Sequence, residues 1–224
     1  FQSDEMLSSE IRNMYGNGCP YLFATTARLE KEKNLDFLFQ GTARLRDILG
    51  QDFRLMVIGD GTERRHLEEL ARMLGISRQI VFTGKIENTR VRHYLNAADA
   101  FLFASKSETQ GIVLLEAMAA GCPVAAVRAS GVVDVVRQGI NGYMTEEDPE
   151  AFAAAAARLV LERDVRSGRS EEARKTAELY ESGRIAALAA EQYGLMTGQK
   201  EDAGYGEHGK GMFVPSILRL FKDA

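Results

Sequence analysis

Two glutamates flank a glycine-containing turn near the middle of the chain. Glu108 precedes Gly111, and Glu116 follows it inside a predicted helix that begins near Ile112. The backbone N–H groups of a helix's first turn have no partner within the helix, and the helix dipole is positive there, so an anion can bind. A carboxylate on each side can accept hydrogen bonds from sugar hydroxyl groups. A diphosphate that carries a hydroxyl-bearing ring at each end would suit this pattern.

A second group of charges follows the first predicted strand. Arg28 and Lys33 could clamp a diphosphate at the same edge of the sheet as the Gly111 turn. Taken alone, such a run is more often a solvated charged turn. Two isolated glutamates also have a simpler interpretation, in which Glu108 complements the helix dipole and Glu116 is a solvated helix residue. The functional interpretation therefore depends on a scaffold that brings both groups together.

Strands and helices alternate along residues 21–165. The strands are continuous apolar runs, which is typical of a parallel sheet covered by helices on both faces. We therefore predict a Rossmann-like α/β fold, in which a ligand lies beyond the carboxyl ends of the strands. Asn34 is predicted to cap the helix that follows the first strand. The predicted strands are Tyr21–Thr26, Phe53–Ile58, Ile80–Phe82, Ala100–Ala104, Pro123–Val127 and a candidate sixth at Gly142–Met144.

The domain organisation is predicted in three parts. Residues 1–20 are a lead-in from a first domain that precedes them, residues 21–165 form the Rossmann-like domain, and residues 166–224 form a helical extension. That extension contains a Gly-rich loop at 197–211 and a short amphipathic helix at 213–221. The chain starts with Phe1 rather than Met, so we expect it to be part of a longer protein and to show little or no transfer activity by itself.

Composition excludes several classes of protein. The chain has 28 Lys and Arg against 32 Asp and Glu, a formal net charge of −4, which argues against a nucleic-acid partner. No apolar run approaches the roughly 18 residues of a membrane span. The two cysteines have no metal-ligand spacing, so neither a zinc site nor a disulfide framework is predicted. A reducing cytoplasmic location is expected.

Six segments in register resemble a known family. Together they are similar to the C-terminal, nucleotide-sugar-binding half of a GT-B glycosyltransferase of the large retaining family 4, or group 1, type. The likeness covers roughly residues 21–165, with Ala27 where the family has Gly and Asp134 where Glu is commoner. The segments are Ala27–Asn34 (G-R-L…E-K-N), Val57–Leu67 (V-x-G-x-G…L), Val81–Ile86 (V-x-F-x-G-x-V), Ala98–Leu102 (A-D-x-F-L), Ser105–Val124 (with E-x7-E at Glu108 and Glu116) and Gly131–Gly142.

The resemblance implies a role for each candidate residue. Arg28 and Lys33 would hold the donor diphosphate, Glu108 would contact the transferred sugar, and these three are the candidate catalytic residues. Glu116 would bind the ribose. The other candidate donor-binding residues are Thr109, Gln110, Gly111 and Ile112 at the sugar–phosphate turn, Lys85 and Ile86 beside the base, and Gly59 in the V-x-G-x-G segment.

The same resemblance implies the partners. The co-substrate would be a nucleotide sugar, most simply a UDP-sugar, from which a hexosyl group passes to a cell-envelope, lipid or glycan acceptor bound by the first domain. No cofactor or metal is expected. The full-length protein would work in the cytoplasm, where peripheral association with the inner face of the membrane is compatible with a lipid acceptor.

Two alternatives share this fold. One is an isomerase that resembles the UDP-N-acetylglucosamine 2-epimerases, and the other is a nucleotide-binding module without transfer activity. The E-x7-E segment is typical of the transferases. An inactive site would tend to lose its charged residues, whereas this chain has both charged pairs, Glu108 with Glu116 and Arg28 with Lys33.

A glycine motif in the tail is interpreted as a loop. Gly204–Lys210 spells G-x-G-x-x-G and nearly a Walker A loop, but polar residues precede it and Gly211 replaces the Ser or Thr that would hold Mg²⁺.

Overall fold

The computed structural model describes residues 2–107, 111–162 and 168–181, and within them the predicted α/β alternation is confirmed. A short 3₁₀ helix at Lys31–Lys33 leads into the second α-helix, and residues 168–181 are helical at the end of the described chain. The elements are α1 (Gln2–Gly16), β1 (Tyr21–Thr26), α2 (Leu35–Leu49), β2 (Phe53–Ile58), α3 (Arg64–Met73), β3 (Ile80–Gly84), α4 (Asn88–Ala97), β4 (Ala100–Phe103), α5 (Ile112–Ala119), β5 (Val124–Val127), α6 (Ser130–Val135), β6 (Gly142–Thr145) and α7 (Pro149–Leu161).

The six strands form one parallel sheet in the order β3-β2-β1-β4-β5-β6. The chain winds outward from β1 to β3, then returns to place β4 beside β1. The strand order therefore reverses between β1 and β4. Helices that follow these two strands leave toward opposite faces, which opens a crevice at the carboxyl end of the sheet. A ligand site is expected at this point.

The helices form two groups, which right-handed crossovers place on opposite faces of the sheet. In one group α2 contacts α3 and α7, and in the other α4 contacts α1 and α5, while α5 also contacts α6. The contact between α2 and α7 is close: a Cβ on Gly41 would lie 2.7 Å from Cδ1 of Phe152. Because both faces are covered, the four inner strands β1, β2, β4 and β5 are buried along nearly their whole length, which explains their largely apolar sequences.

The compact unit around the sheet extends to Ala177 and includes α1, so it is wider than the predicted domain of residues 21–165. In α1, Arg12 donates hydrogen bonds to the backbone oxygens of Ala97 and Pro20 and to the buried Asp99 carboxylate. Beyond α7, Arg169 donates to the Tyr143 hydroxyl at 2.6 Å. These polar contacts tie both flanking segments to the sheet.

The predicted Gly-rich loop at 197–211 and terminal helix at 213–221 lie outside the described residues. Within the described part of the chain, no helix is long and apolar enough to cross a membrane.

Candidate functional site

A cleft of about 440 Å³ opens at the carboxyl end of the sheet. It lies where the strand order reverses, so its walls come from the ends of β1 to β4 and the loops that follow them. Five residues predicted from the sequence line this cleft together: Arg28, Lys33, Gly59, Lys85 and Ile86. The lining is completed by Thr25, Thr26, Ala27, Leu35, Ile58, Asp60, Asn88, Val91, Phe103, Ala104, Ser105 and Val113.

Arg28 and Lys33 converge on one carboxylate oxygen. Oε1 of Glu32 lies 3.3 Å from Nη2 of Arg28 and 3.2 Å from Nζ of Lys33. The Arg28 side chain is 76% exposed and that of Lys33 is 22% exposed, so the arginine is free to reorient toward a ligand. Two cations that meet at one anionic oxygen can also share a phosphate.

The charge of the lining favours an anion. Arg28, Lys33 and Lys85 contribute three cationic side chains, and Asp60 contributes the acidic one among the lining residues. The chain as a whole carries a formal net charge of −4, so this positive cleft is a local feature.

Gly59 is required by the close approach of two loops. The loop after β1 runs beside the loop after β2, with the N–H of Ala27 donating to the oxygen of Ile58 at 3.1 Å. A Cβ on Gly59 would lie 2.0 Å from the Ala27 oxygen, and the residue has a φ of +137°. Only glycine fits there. Gly59 thus shapes the wall of the cleft through backbone packing.

Helix α5 reaches the cleft through its first turn. Val113 lines the cleft, whereas Gly111, Ile112 and Glu116 do not. Gly111 has a φ of +66°, and a Cβ on it would lie 2.6 Å from the oxygen of Gly131 in α6, so packing of α6 against this turn requires a glycine. The predicted Glu108, Thr109 and Gln110 lie outside the described residues.

Glu116 is an exposed residue on α5, but neighbouring protein atoms partly desolvate its carboxylate and raise its pKa above the ordinary range for glutamate. Contact with a ribose stays a prediction for this residue.

Asn34 stands at the N-cap position of α2, as predicted, but it does not cap the helix through its side chain. Asn34 adopts the left-handed conformation with a φ of +55° and makes no side-chain cap hydrogen bond. A capping side chain normally projects from extended backbone. Here Nδ2 of Asn34 instead donates to the Ala104 oxygen at 3.2 Å and to Oε1 of Glu147 at 2.7 Å.

Several residues at this edge of the sheet were not predicted from the sequence. Glu147 follows β6 and pairs with Lys106 as well as with Asn34. Asn88, the first residue of α4, lines the cleft on the side of Ile86. The rule that loops after parallel strands meet at one edge could have placed these residues near the cleft, although no local motif marks them. Among the described residues, no group of three or more His, Cys, Asp or Glu side chains is arranged to hold a metal ion.

Comparison with known proteins agrees with this architecture. The family model described as glycosyl transferases group 1 matches residues 10–176. A lipopolysaccharide core biosynthesis glycosyltransferase of Rhizobium meliloti is 35% identical over 150 residues, which cover 66% of this chain and 42% of that protein. The matched regions span less than half the length of the curated relatives found.

Solved structures show the same fold. The pneumococcal O-GlcNAc transferase GtfA, crystallised with UDP and GlcNAc, matches with a TM-score of 0.65 and 25% identity over 73% of this chain and 33% of that one. The C-terminal domain of a glycosyl transferase group 1 family protein (LpcC) from Francisella tularensis matches with a TM-score of 0.65 and 23% identity over 72% of this chain and 86% of that domain. The sheet order, the cleft and the family match agree, and the chain belongs to the glycosyl transferases group 1 family.

Proposed function

We propose that this chain is the donor-binding half of a retaining glycosyltransferase and binds a nucleotide-diphosphate sugar in the cleft between β1 and β4. The observation that carries the proposal is that Arg28 and Lys33 line one cleft together with Val113, which lies in the first turn of α5. The two cations and that first turn each favour a phosphate, and together they match the two negative phosphates of a nucleoside diphosphate.

The proposed orientation follows from the lining. Arg28 and Lys33 lie on the loop after β1 and would hold the diphosphate, whereas Lys85 and Ile86 follow β3 and would border the base. Glu116 would accept hydrogen bonds from the ribose, and Glu108 would contact the transferred sugar. The remaining predicted contacts to the sugar–phosphate turn are Thr109, Gln110, Gly111 and Ile112.

The proposed chemistry is electrostatic. When the bond between the sugar and the diphosphate breaks, negative charge grows on the departing phosphate oxygen. The guanidinium of Arg28, the ammonium of Lys33 and the positive end of α5 would stabilise that charge once the bound diphosphate has drawn the two cations away from Glu32. These cations would supply the charge that a metal ion supplies in other transferases.

We propose UDP as the nucleotide and a cell-envelope, lipid or glycan molecule as the acceptor. The pneumococcal relative was solved with UDP, which supports the first choice, and the Rhizobium relative named for lipopolysaccharide core biosynthesis supports the second. The acceptor would be bound by the other half of the full-length protein, in the cytoplasm or at the inner face of the membrane.

Calorimetric titration with UDP tests the site. Replacing both cations, in Arg28→Ala with Lys33→Ala, should weaken UDP binding at least about a hundredfold, because each charge-assisted hydrogen bond is worth about 1.5–3 kcal/mol. The matched control replaces Gly204 and Lys210 of the tail motif by Ala and should bind UDP like the parent chain. If the control loses binding and the cation variant keeps it, the proposed site is wrong.

Assays of the full-length protein separate the alternative functions. Transfer from a UDP-sugar to an acceptor supports the proposal. Epimerisation of a UDP-sugar without any acceptor would instead identify an isomerase, and UDP binding without either reaction would identify a non-catalytic module.

A further inference from the structure

Three loops are joined by one glutamate at the rim of the cleft. Glu147 follows β6; its Oε1 accepts a hydrogen bond from Nδ2 of Asn34 at 2.7 Å, and its Oε2 pairs with Nζ of Lys106. Asn34 belongs to the loop after β1, and Lys106 to the loop after β4. We call Glu147, Asn34 and Lys106 the rim network. It links loops that leave three different strands of the sheet.

The rim network is more than an isolated surface ion pair. Both carboxylate oxygens of Glu147 are used, and the Asn34 amide that donates to one of them also donates to the Ala104 oxygen at the end of β4. Lys106 and Asn34 hold the pKa of Glu147 below its ordinary range, so the carboxylate is ionised at neutral pH. Networks of several charged and polar groups hold geometry better than single exposed pairs do.

The position of the network relates it to the donor. Asn34 directly follows Lys33, the cation placed at the diphosphate. Lys106 lies two residues before Glu108, the residue predicted to contact the transferred sugar. Beside Lys106, the hydroxyls of Ser105 and Ser107 lie 3.1 Å apart, which adds a second polar contact to the same loop. A change at Glu147 would therefore affect both the loop after β1, which contains Lys33 and Asn34, and the start of the loop after β4, which contains Lys106. We call these loops the phosphate-binding loop and the sugar-binding loop.

We infer that Glu147 is a positioning residue, which holds the loop of Lys106 in register with the loop of Lys33 and Asn34 so that both engage one nucleotide sugar. This inference rests on the proposed function. Glu147 does not line the cleft, so it would act on a bound nucleotide sugar through its two partners. The consequence is selective: a ligand that spans both loops should depend on Glu147 more than a ligand that reaches only the phosphate-binding loop.

The experiment compares two ligands across matched variants. Calorimetry measures the affinities for UDP and for UDP-glucose or UDP-N-acetylglucosamine in the parent chain, Glu147→Ala and Glu146→Ala. Glu146 is the matched control, since it lies on the same loop and pairs with Arg128 at 2.6 Å instead of joining the rim network. Glu147→Ala should weaken UDP-sugar binding about twofold to fivefold more than UDP binding, the upper part of the range expected for exposed charged pairs. Glu146→Ala should change both affinities equally or not at all.

A double-mutant cycle tests whether Glu147 acts through Lys106. If it does, Lys106→Met should reproduce the selective loss, and adding Glu147→Ala should weaken UDP-sugar binding little further. The conservative change Glu147→Gln keeps an oxygen for Asn34 and should lie between the parent and Glu147→Ala. The thermal midpoint of each variant should stay near that of the parent, because all of these side chains are partly or fully exposed.

The outcomes separate the two proposals. If the parent chain binds neither UDP nor a UDP-sugar, the proposed function fails. If the parent binds both but Glu147→Ala and Glu146→Ala behave alike, or Glu147→Ala weakens UDP and UDP-sugar equally, Glu147 is not a positioning residue.

Discussion

At the scale of single residues, Glu116 combines a cost in folding with a proposed use in binding. Partial desolvation raises the pKa of its carboxylate, so the folded chain penalises the ionised form relative to the unfolded chain. The contribution of the Glu116 carboxyl group to the free energy of unfolding is therefore fully present below the ordinary glutamate pKa. That contribution is lost as the pH rises through the raised pKa of Glu116 in the folded chain. At neutral pH the carboxylate is retained at some cost to folding.

Replacing this carboxylate should separate binding from stability. In Glu116→Gln we expect an unchanged or slightly higher free energy of unfolding at pH 7, because the neutral amide escapes the desolvation penalty. UDP binding should weaken about tenfold or more, since a charged acceptor for the ribose hydroxyls is lost. Urea unfolding and calorimetry measure the two effects.

Glu108→Gln provides the comparison, because UDP lacks the transferred sugar and should bind that variant almost as tightly as the parent. The pH dependence of UDP affinity gives a second check. As the pH falls through the raised pKa of Glu116, the parent chain and Glu116→Gln should come to bind UDP equally, because the carboxyl group becomes neutral. Equal losses of UDP affinity in both variants would contradict the ribose assignment.

At the scale of elements, α1 is held to the sheet by a buried polar contact. Asp99 follows α4, and its side chain is 2% exposed; its Oδ2 accepts from the N–H of Leu22 in β1 at 2.8 Å and from Nη2 of Arg12 at 2.9 Å. One carboxylate thus connects the first helix, the start of the central strand β1 and the end of α4. This contact makes α1 part of the folded unit.

Removing the arginine should destabilise the whole unit. We expect Arg12→Leu to lower the free energy of unfolding by about 2 kcal/mol. Breaking a fully buried ion pair costs about 3–5 kcal/mol. The expected loss is smaller here because Arg12 is partly exposed and because Asp99 keeps its hydrogen bond to Leu22. Urea unfolding followed by circular dichroism measures the change. Glu10→Ala, an exposed change in the same helix, should have almost no effect. A stability unaffected by Arg12→Leu would show that α1 is only a loosely attached lead-in.

At the scale of the whole molecule, the cleft and the core depend on the same sheet. The lining residues lie at or just beyond the carboxyl ends of β1 to β4, and the buried parts of these strands form the core. A ligand in the cleft would contact loops from both halves of the sheet. Binding should therefore stabilise the whole compact unit rather than one loop.

UDP should raise the midpoint of thermal unfolding in a single transition. At a UDP concentration about a hundredfold above its dissociation constant, mass action adds about 2.7 kcal/mol, which corresponds to a shift of about 5–10 °C for a unit of this size. Circular dichroism and tyrosine fluorescence should report the same shift, and the variant without Arg28 and Lys33 should show a shift of at most about 1–2 °C at the same UDP concentration. Two separate transitions, of which UDP moves only one, would contradict this coupling.

The order of the strands and helices along the chain, and several of their bounds, could be predicted from the amino-acid sequence. The bounds of β1 and β2 agree with the predicted Tyr21–Thr26 and Phe53–Ile58, because strands buried on both faces are continuous apolar runs that end at polar or glycine residues. The placement of Arg28 and Lys33 at the cleft was also predictable, since loops after parallel strands gather at one edge of the sheet.

The contacts between groups that are distant along the chain could not be predicted from the sequence and became visible in the folded structure. Asn34 and Glu147 are 113 residues apart, and no local pattern distinguishes a capping asparagine from one that joins another loop. Gly59 and Gly111 are likewise required by distant atoms. The backbone oxygens of Ala27 and Gly131 leave no room for a Cβ at these two positions, and they approach them only after folding. Local propensity and hydrophobic periodicity are encoded over a few neighbouring residues, whereas these contacts depend on how the strands are ordered and how the loops cross.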